Sequence, residues 1–398
     1  MQASIFAFSL AKIPKIEFAS GAIRQLPGLA AQFGCNILLI TGGQSFARSA
    51  TYQPLMDGFK ALALNVVQFA VRSEPSPELV DDAVKQFRSA DIDVVVAIGG
   101  GSAMDTAKAI AGLLRVGHSV MDYLEGVGPE RPYQGPAVPF IAVPTTAGTG
   151  SEATKNAVLS RHGLQGFKKS FRDEQLVADI ALLDPDLLAS CPPRVIAANG
   201  MDALTQLLES YVSIKNNVLN NALGRSGLLA CREGLLKLYD SQAQDALARE
   251  QMAFASLASG INLAQTGLGS VHGLASPLGA YYPIPHGVVC GTLVATATRI
   301  NIEAMRQREP FNPALSLYAE VAQLLCGQHF KSLDNGLQAL IDLLEQWTAH
   351  LQIARLSDYG VRAEDFELIV ANSRGSSMKT NPIVLTDDEI LSILQERF

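Results

Sequence analysis

The chain has 398 residues, 48% hydrophobic and 17% charged, with a formal net charge of −7. That size and balance predict a globular protein of two domains and exclude the disordered and fibrous classes. Lysine and arginine are dispersed, so there is no basic footprint for nucleic acid, and no apolar run approaches the ~18–20 residues that span a membrane.

Residues 1–18 hold a short apolar stretch with no basic residue before it and no convincing small-residue cleavage site, which does not read as a secretory leader. The cysteines (Cys35, Cys191, Cys231, Cys290, Cys326) are odd in number and form no C-x-x-C pair, as expected in a reducing compartment. A cytoplasmic protein is the expectation. The run 36–40 predicts a buried strand ended by Thr41-Gly42-Gly43. Next comes a helix over 78–90, on which Leu79, Ala83, Val84 and Phe87 recur at helical spacing. A second strand, 93–98, ends in three glycines; a helix follows over 103–114, and a third strand, 140–143, stops at Pro144. Strands apolar on both faces and separated by helices predict a parallel sheet covered by helices. Beyond residue 199 Ala/Leu-rich stretches dominate, with helical periodicity over 204–212, 222–239, 246–264 and 332–350. The break at Ser190-Cys191-Pro192-Pro193 therefore separates an α/β domain, 1–192, from an all-α domain, 193–398.

Two loops follow strands and carry ligand chemistry. Gly99-Gly100-Gly101-Ser102 opens a helix, so glycines allow close approach while first-turn N–H groups face an anion, with pyrophosphate the obvious guest. The spacing is not G-x-G-x-x-G, and a tight turn would also select glycine. The second loop, 144–152, offers the hydroxyls of Thr145, Thr146, Thr149 and Ser151 with two glycines, suited to a diphosphate or ribose, or simply to a capped turn.

Asp202 and Gln206 stand four apart, on one helix face, and His272 and His286 lie in an apolar Gly/Pro-rich segment far downstream. A carboxylate and two imidazoles, with Gln206 lending an amide oxygen, would suit Zn²⁺ or Fe²⁺. Asp202 also reads as a helix-start residue and His272 as a hydrogen-bonded core histidine. The other histidines (His118, His162, His329, His350) read as structural.

Together GGGSAMDTAKAIA (99–111), PTTAGTGSEAT (144–154), KKSF…LLDPDLLASCPP (168–193), GMDALTQLLESYVS (200–213), VHGLASPLGAYYPIPHG (271–287) and TNPIVLTDDEILSIL (380–394) resemble the iron-containing (group III) alcohol dehydrogenases over nearly the whole chain. The resemblance implies a Rossmann-like dinucleotide-binding domain, a helical domain, and a cleft between them holding metal and nicotinamide. Gly42, Gly43, Gly100, Gly101, Ser102 and Asp105 would then serve the dinucleotide, the last four at its pyrophosphate. Thr145, Thr146 and Thr149 would line the cofactor and Lys168 would reach its ribose. Asp202, His272 and His286 would hold the metal, with Gln206 where the family usually has a histidine; Ser276 stands where many members have another. The acidic residue that NAD-preferring members often have after the first strand is missing from Gly42-Gly43-Gln44-Ser45, which predicts dual use of NAD and NADP or a tilt toward NADP. The implied activity is metal-dependent hydride transfer between NAD(P) and a small alcohol or carbonyl compound, in a homodimer. The alternatives are a metal-independent reductase in the manner of maleylacetate reductases and a dinucleotide-binding protein without catalysis.

Overall fold

The computed structural model describes residues 7–163 and 165–398. The chain divides into two compact units. One comprises Ala11–Arg161 and Lys168–Cys191; the other comprises Pro192–Phe398 with the described residues of 1–10 and 162–167. None of the described helices is long and apolar enough to cross a membrane.

The first unit is a six-stranded parallel sheet with its helices. Its elements in chain order are β1 (Lys15–Phe18), α1 (Leu26–Ala30), β2 (Asn36–Gly42), α2 (Tyr52–Ala61), β3 (Asn65–Val71), α3 (Pro77–Phe87), β4 (Val94–Gly99), α4 (Gly101–Leu113), β5 (Phe140–Pro144), β6 (Asn156–Arg161), β7 (Phe167–Arg172) and β8 (Ile180–Leu183). The strand order is β1-β8-β5-β4-β2-β3, and β6 pairs with β7 in a separate two-stranded ribbon. Alternation along the strands sorts the side chains to two faces. On one face Ile37, Leu39, Val94, Val96, Ile98, Ile141, Val143, Ile180 and Leu182 pack with Leu26 and Leu29 of α1 and Leu55 and Phe59 of α2. The opposite parity places Ala97, Ala142 and Ala181 in one row, in register across β4, β5 and β8. Such small side chains let α4, itself rich in Ala and Gly, lie close to β4 and β5.

The order reverses between β2 and β4, because the chain runs outward from β2 to β3 and then returns to β2's other side. Ligands of doubly wound sheets bind at the carboxyl ends of the strands flanking such a point. Here those ends are Gly42 and Gly99, and their backbones are nearly in contact: a Cβ on Gly99 would lie 3.0 Å from the Gly42 nitrogen.

The second unit contains α5 (Pro193–Val212), α6 (Val218–Asp240), α7 (Ala246–Thr266), α8 (Ser270–Tyr281), α9 (His286–Arg308), α10 (Ala314–Cys326), α11 (Leu333–His350), α12 (Phe366–Asn372) and α13 (Asp387–Glu396). Helix α5 is the centre: every residue from Met201 to Val212 is buried, so it is enclosed all round instead of presenting one face to water. Helices α6, α7 and α9 pack on it. The segment 271–287, legible in sequence only as Gly/Pro-rich, folds into most of α8, a proline-marked bend at Pro283–Pro285, and the first turn of α9. Pro277 is tolerated inside α8, and the small residues serve packing. A Cβ on Gly287 would meet the Ala198 carbonyl oxygen at 2.3 Å, and one on Gly291 would meet the Met201 Cβ at 2.9 Å. The start of α9 therefore lies against the backbone of α5.

The obstacle at Gly287 is backbone, which cannot swing aside. Gly287→Ala should overpack this junction by about 1–3 kcal/mol, lowering the thermal midpoint. Thermal unfolding followed by circular dichroism checks this, and an unchanged midpoint would show that α9 can draw back from α5 at no cost.

Candidate metal centre and nucleotide loops

In the α/β unit a single residue, Gly100, separates β4 from α4, in extended conformation (φ −84°, ψ −171°). The loop after β5 runs alongside, with the Thr145 nitrogen donating to the Gly99 carbonyl at 2.9 Å. Side chains on Gly100 and Gly101 would collide with that loop: their Cβ atoms would stand 3.1 Å from Thr146 Oγ1 and 3.0 Å from Thr149 Cγ2. The glycines thus admit the threonine loop, which stands over the first turn of α4, where Ser102 is exposed. First-turn N–H groups at a helix end of this kind can face an anion.

Asp105 is engaged within the protein. Ser151 Oγ donates to its Oδ1 at 2.5 Å and the Val158 nitrogen to its Oδ2 at 3.2 Å, and Lys108 forms an ion pair with it at 3.4 Å. It ties the threonine loop to α4. Lys108 is buried and donates to Thr154 Oγ1 and the Asn156 carbonyl at 2.9 and 2.5 Å. Burial pushes its pKa down, and Asp105 partly counters this. Gly43 adopts a left-handed conformation (φ 49°), and just beyond it Arg48 donates to the Gln44 side chain. Lys168 on β7 faces Glu74 at 3.6 Å.

In the helical unit Asp202 and Gln206 project from α5, His272 from the first turn of α8, and His286 from the first position of α9. His272 Nε2 lies 3.3 Å and His286 Nε2 3.7 Å from Asp202 Oδ1. A fourth group joins them. Cys290 Sγ is 3.5 Å from His272 Nε2 and 3.8 Å from His286 Nε2, and one ligand atom from each of Asp202, His272, His286 and Cys290 falls within 4.8 Å of the others. Gln206 borders the group, its amide nitrogen donating to Asp202 Oδ1 at 3.3 Å and its oxygen accepting from Ser259 Oγ at 2.9 Å.

Electrostatically the cluster is poised for a cation. Asp202 is 1% exposed, and its Oδ2 has no hydrogen-bond partner, an expensive state for a buried carboxylate oxygen unless something positive faces it. Burial would raise its pKa, but His286 and His272 outweigh that and hold the carboxyl below the usual range. Burial likewise opposes charge on His272, yet Cys290, Glu209 and Asp202 carry its pKa well above the ordinary value. Donor types, spacing and the orphaned oxygen all fit a divalent transition metal.

Two members of this site escaped the sequence reading. Glu209, seven residues beyond Asp202 and on the same helical stripe, accepts from His272 Nδ1 at 2.6 Å and from the Val271 nitrogen at 2.7 Å. Cys290 stands four residues after His286, a spacing informative only once α9 is known to be a helix. Tyr282, near the histidines in sequence, donates to Asp365, and Leu274 is core. Ser276 lies in α8, one turn beyond His272.

A doubly wound parallel sheet with a glycine-threonine loop pair, and a helical unit bearing a candidate ligand cluster, fit the class of nucleotide-dependent oxidoreductases. The family model described as iron-containing alcohol dehydrogenase matches residues 14–185, and its companion, Fe-containing alcohol dehydrogenase family, C-terminal, matches residues 196–398. The chain belongs to the iron-containing alcohol dehydrogenase family. It is 31% identical over 331 residues to alcohol dehydrogenase 4 of Saccharomyces cerevisiae, covering 82% of each chain. It is 29% identical over 387 residues to the NAD-dependent methanol dehydrogenase of Bacillus methanolicus, covering 96% of this chain and 97% of that one. Among solved structures, 1,3-propanediol oxidoreductase superposes with a TM-score of 0.88 at 26% identity, over 99% of this chain and all (100%) of the other.

Glu209 holds the far side of the His272 ring, and such outer partners are worth about 10–100-fold in metal affinity. Glu209→Gln should lower the affinity for divalent metal by that order, read by competition with a chromophoric chelator. Unaltered affinity would mean that His272 keeps its orientation without the carboxylate.

Proposed function

We propose that the protein is an alcohol dehydrogenase working in both directions, moving a hydride between NAD(P) and a small alcohol or its aldehyde or ketone. The observation that carries this reading is the convergence of Asp202, His272 and His286, with the second oxygen of that buried carboxylate left without a partner. When bound, the metal supplies Lewis acidity toward an alcohol or carbonyl oxygen, and the nicotinamide supplies the hydride acceptor or donor.

The chain's own residues do the rest. Gly100, Gly101 and Ser102 would offer the amide end of α4 to the pyrophosphate, with Thr145, Thr146 and Thr149 beside them. Gly42 and Gly43 leave room at the end of β2, and Lys168 would reach toward a ribose. Asp105 positions the threonine loop from within. Asp202, His272 and His286 would hold the cation, while Glu209 keeps a proton on His272 Nδ1 and so leaves Nε2 free to ligate. Ser276, one turn beyond His272, is too weak a base to take the substrate proton, which leaves through water or a cofactor hydroxyl. The residues after β2 include no carboxylate to repel a 2′-phosphate, and Arg48 lies near enough to bond Gln44. The protein is therefore proposed to use NAD and NADP alike, and to act as a homodimer in the cytoplasm.

His286→Ala should lose metal and turnover yet still bind dinucleotide, read by metal analysis, a hydride-transfer assay over a panel of alcohols and aldehydes, and quenching of nicotinamide fluorescence. Turnover that survives in the variant, or after chelation of the wild type, would favour a metal-independent reductase. Catalytic efficiencies with NAD and NADP should be of similar size; a strong preference for NAD would refute the proposed dual use.

A further inference from the structure

Gln206 is poorly placed to be the missing ligand. Its amide nitrogen, not its oxygen, faces Asp202 at 3.3 Å, and the oxygen is turned to Ser259. An NH₂ group has no lone pair to give a cation. The atom that completes the cluster is a thiol: Cys290 Sγ, fully buried, lies within 3.5 and 3.8 Å of the Nε2 atoms of the two histidines, in one group with the Asp202 carboxylate. Cys231, equally buried in α6, lies outside that group, as a cysteine used only for packing would.

Resting on the reading that a metal is held here, we propose that Cys290 is its fourth protein ligand, in place of Gln206, and that the resident ion is zinc, not ferrous iron, with a substrate oxygen entering as a fifth ligand. The donor chemistry supports this. A sulfur donor softens the set, and thiolate with imidazole suits zinc, while ferrous sites of this kind rely on nitrogen and oxygen. On binding, the Cys290 S–H bond breaks, sulfur keeps the electron pair and donates it to the metal, and the proton passes to solvent.

Cobalt(II) added to the metal-free full-length protein tests the ligand. The wild type is expected to show both the visible d–d bands of bound cobalt and a near-ultraviolet thiolate-to-cobalt charge-transfer band. Cys290→Ser should keep the first, lose the second, and bind zinc about tenfold more weakly or worse. Visible bands without charge transfer in the wild type would overturn the proposal and leave the metal site standing. No cobalt spectrum at all would overturn both. X-ray absorption of the zinc-loaded wild type needs no variant: a sulfur shell at about 2.3 Å supports the assignment, and a shell of nitrogen and oxygen alone overturns it. Protein purified from cells supplied with both metals should contain zinc; iron would overturn that half of the proposal.

Discussion

The charge on Asp202 is the constraint around which the helical unit is organised. A carboxylate at 1% exposure in the middle of a buried helix is costly unless positive or donating groups surround it. The chain supplies them from three helices: Gln206 from the same face of α5, His272 from α8 and His286 from α9. Glu209, one further turn along, restrains His272 from behind, so one stripe of α5 carries both the inner carboxylate and the outer one. The glycines at 287 and 291 follow from this. The start of α9 has to lie against the α5 backbone for His286 and Cys290 to reach Asp202, and side chains at those two positions would hold it off.

Close approach also governs the α/β unit, where the purpose differs. The alanine row on β4, β5 and β8 draws α4 onto the sheet, and Gly99, Gly100 and Gly101 let β2 and the threonine loop close around its first turn. That arrangement keeps the helix end polar and accessible while everything behind it is packed. Asp105 and Lys108 form the hidden half of the device. Their bonds to Ser151, Val158, Thr154 and Asn156 hold the threonine loop and the start of β6 to the helix, so the loop's shape does not depend on a ligand.

Much of this was legible in the sequence where burial is one-dimensional. Strands β2, β4 and β5 are enclosed on both faces and read as unbroken apolar runs, and α3 and α11 read from their apolar periodicity. The edge strands did not: β1 and β3 carry polar residues such as Lys15, Glu17, Asn65 and Gln68, and the β6–β7 ribbon mixes Asn, Lys and Arg into its alternation. Helices α8 and α9 were obscured for the opposite reason. Gly273, Gly279, Pro277 and Gly287 are poor helix formers by propensity, and tertiary packing overrides that preference; at Gly273 and Gly287 the neighbours leave no room for anything larger. Asp202, Gln206, His272 and His286 could be named from their residue types and motifs, but Glu209 and Cys290 take their meaning only from which helix faces meet.

The polar residues nearest the cluster show how such a site is kept from collapsing into ordinary core. Glu209 takes the Nδ1 proton of His272, which commits that nitrogen and turns Nε2 toward Asp202 Oδ1 at 3.3 Å. Gln206 is restrained by Ser259, so its amide can steady one oxygen of Asp202 while the other stays without a partner. The outer groups are therefore saturated, while Asp202 Oδ2 on the inner side is not. That imbalance separates a ligand cluster from a hydrogen-bonded core: the unfilled bonding capacity is concentrated at one point, and the surrounding helices are packed too closely for the side chains to relax and fill it themselves.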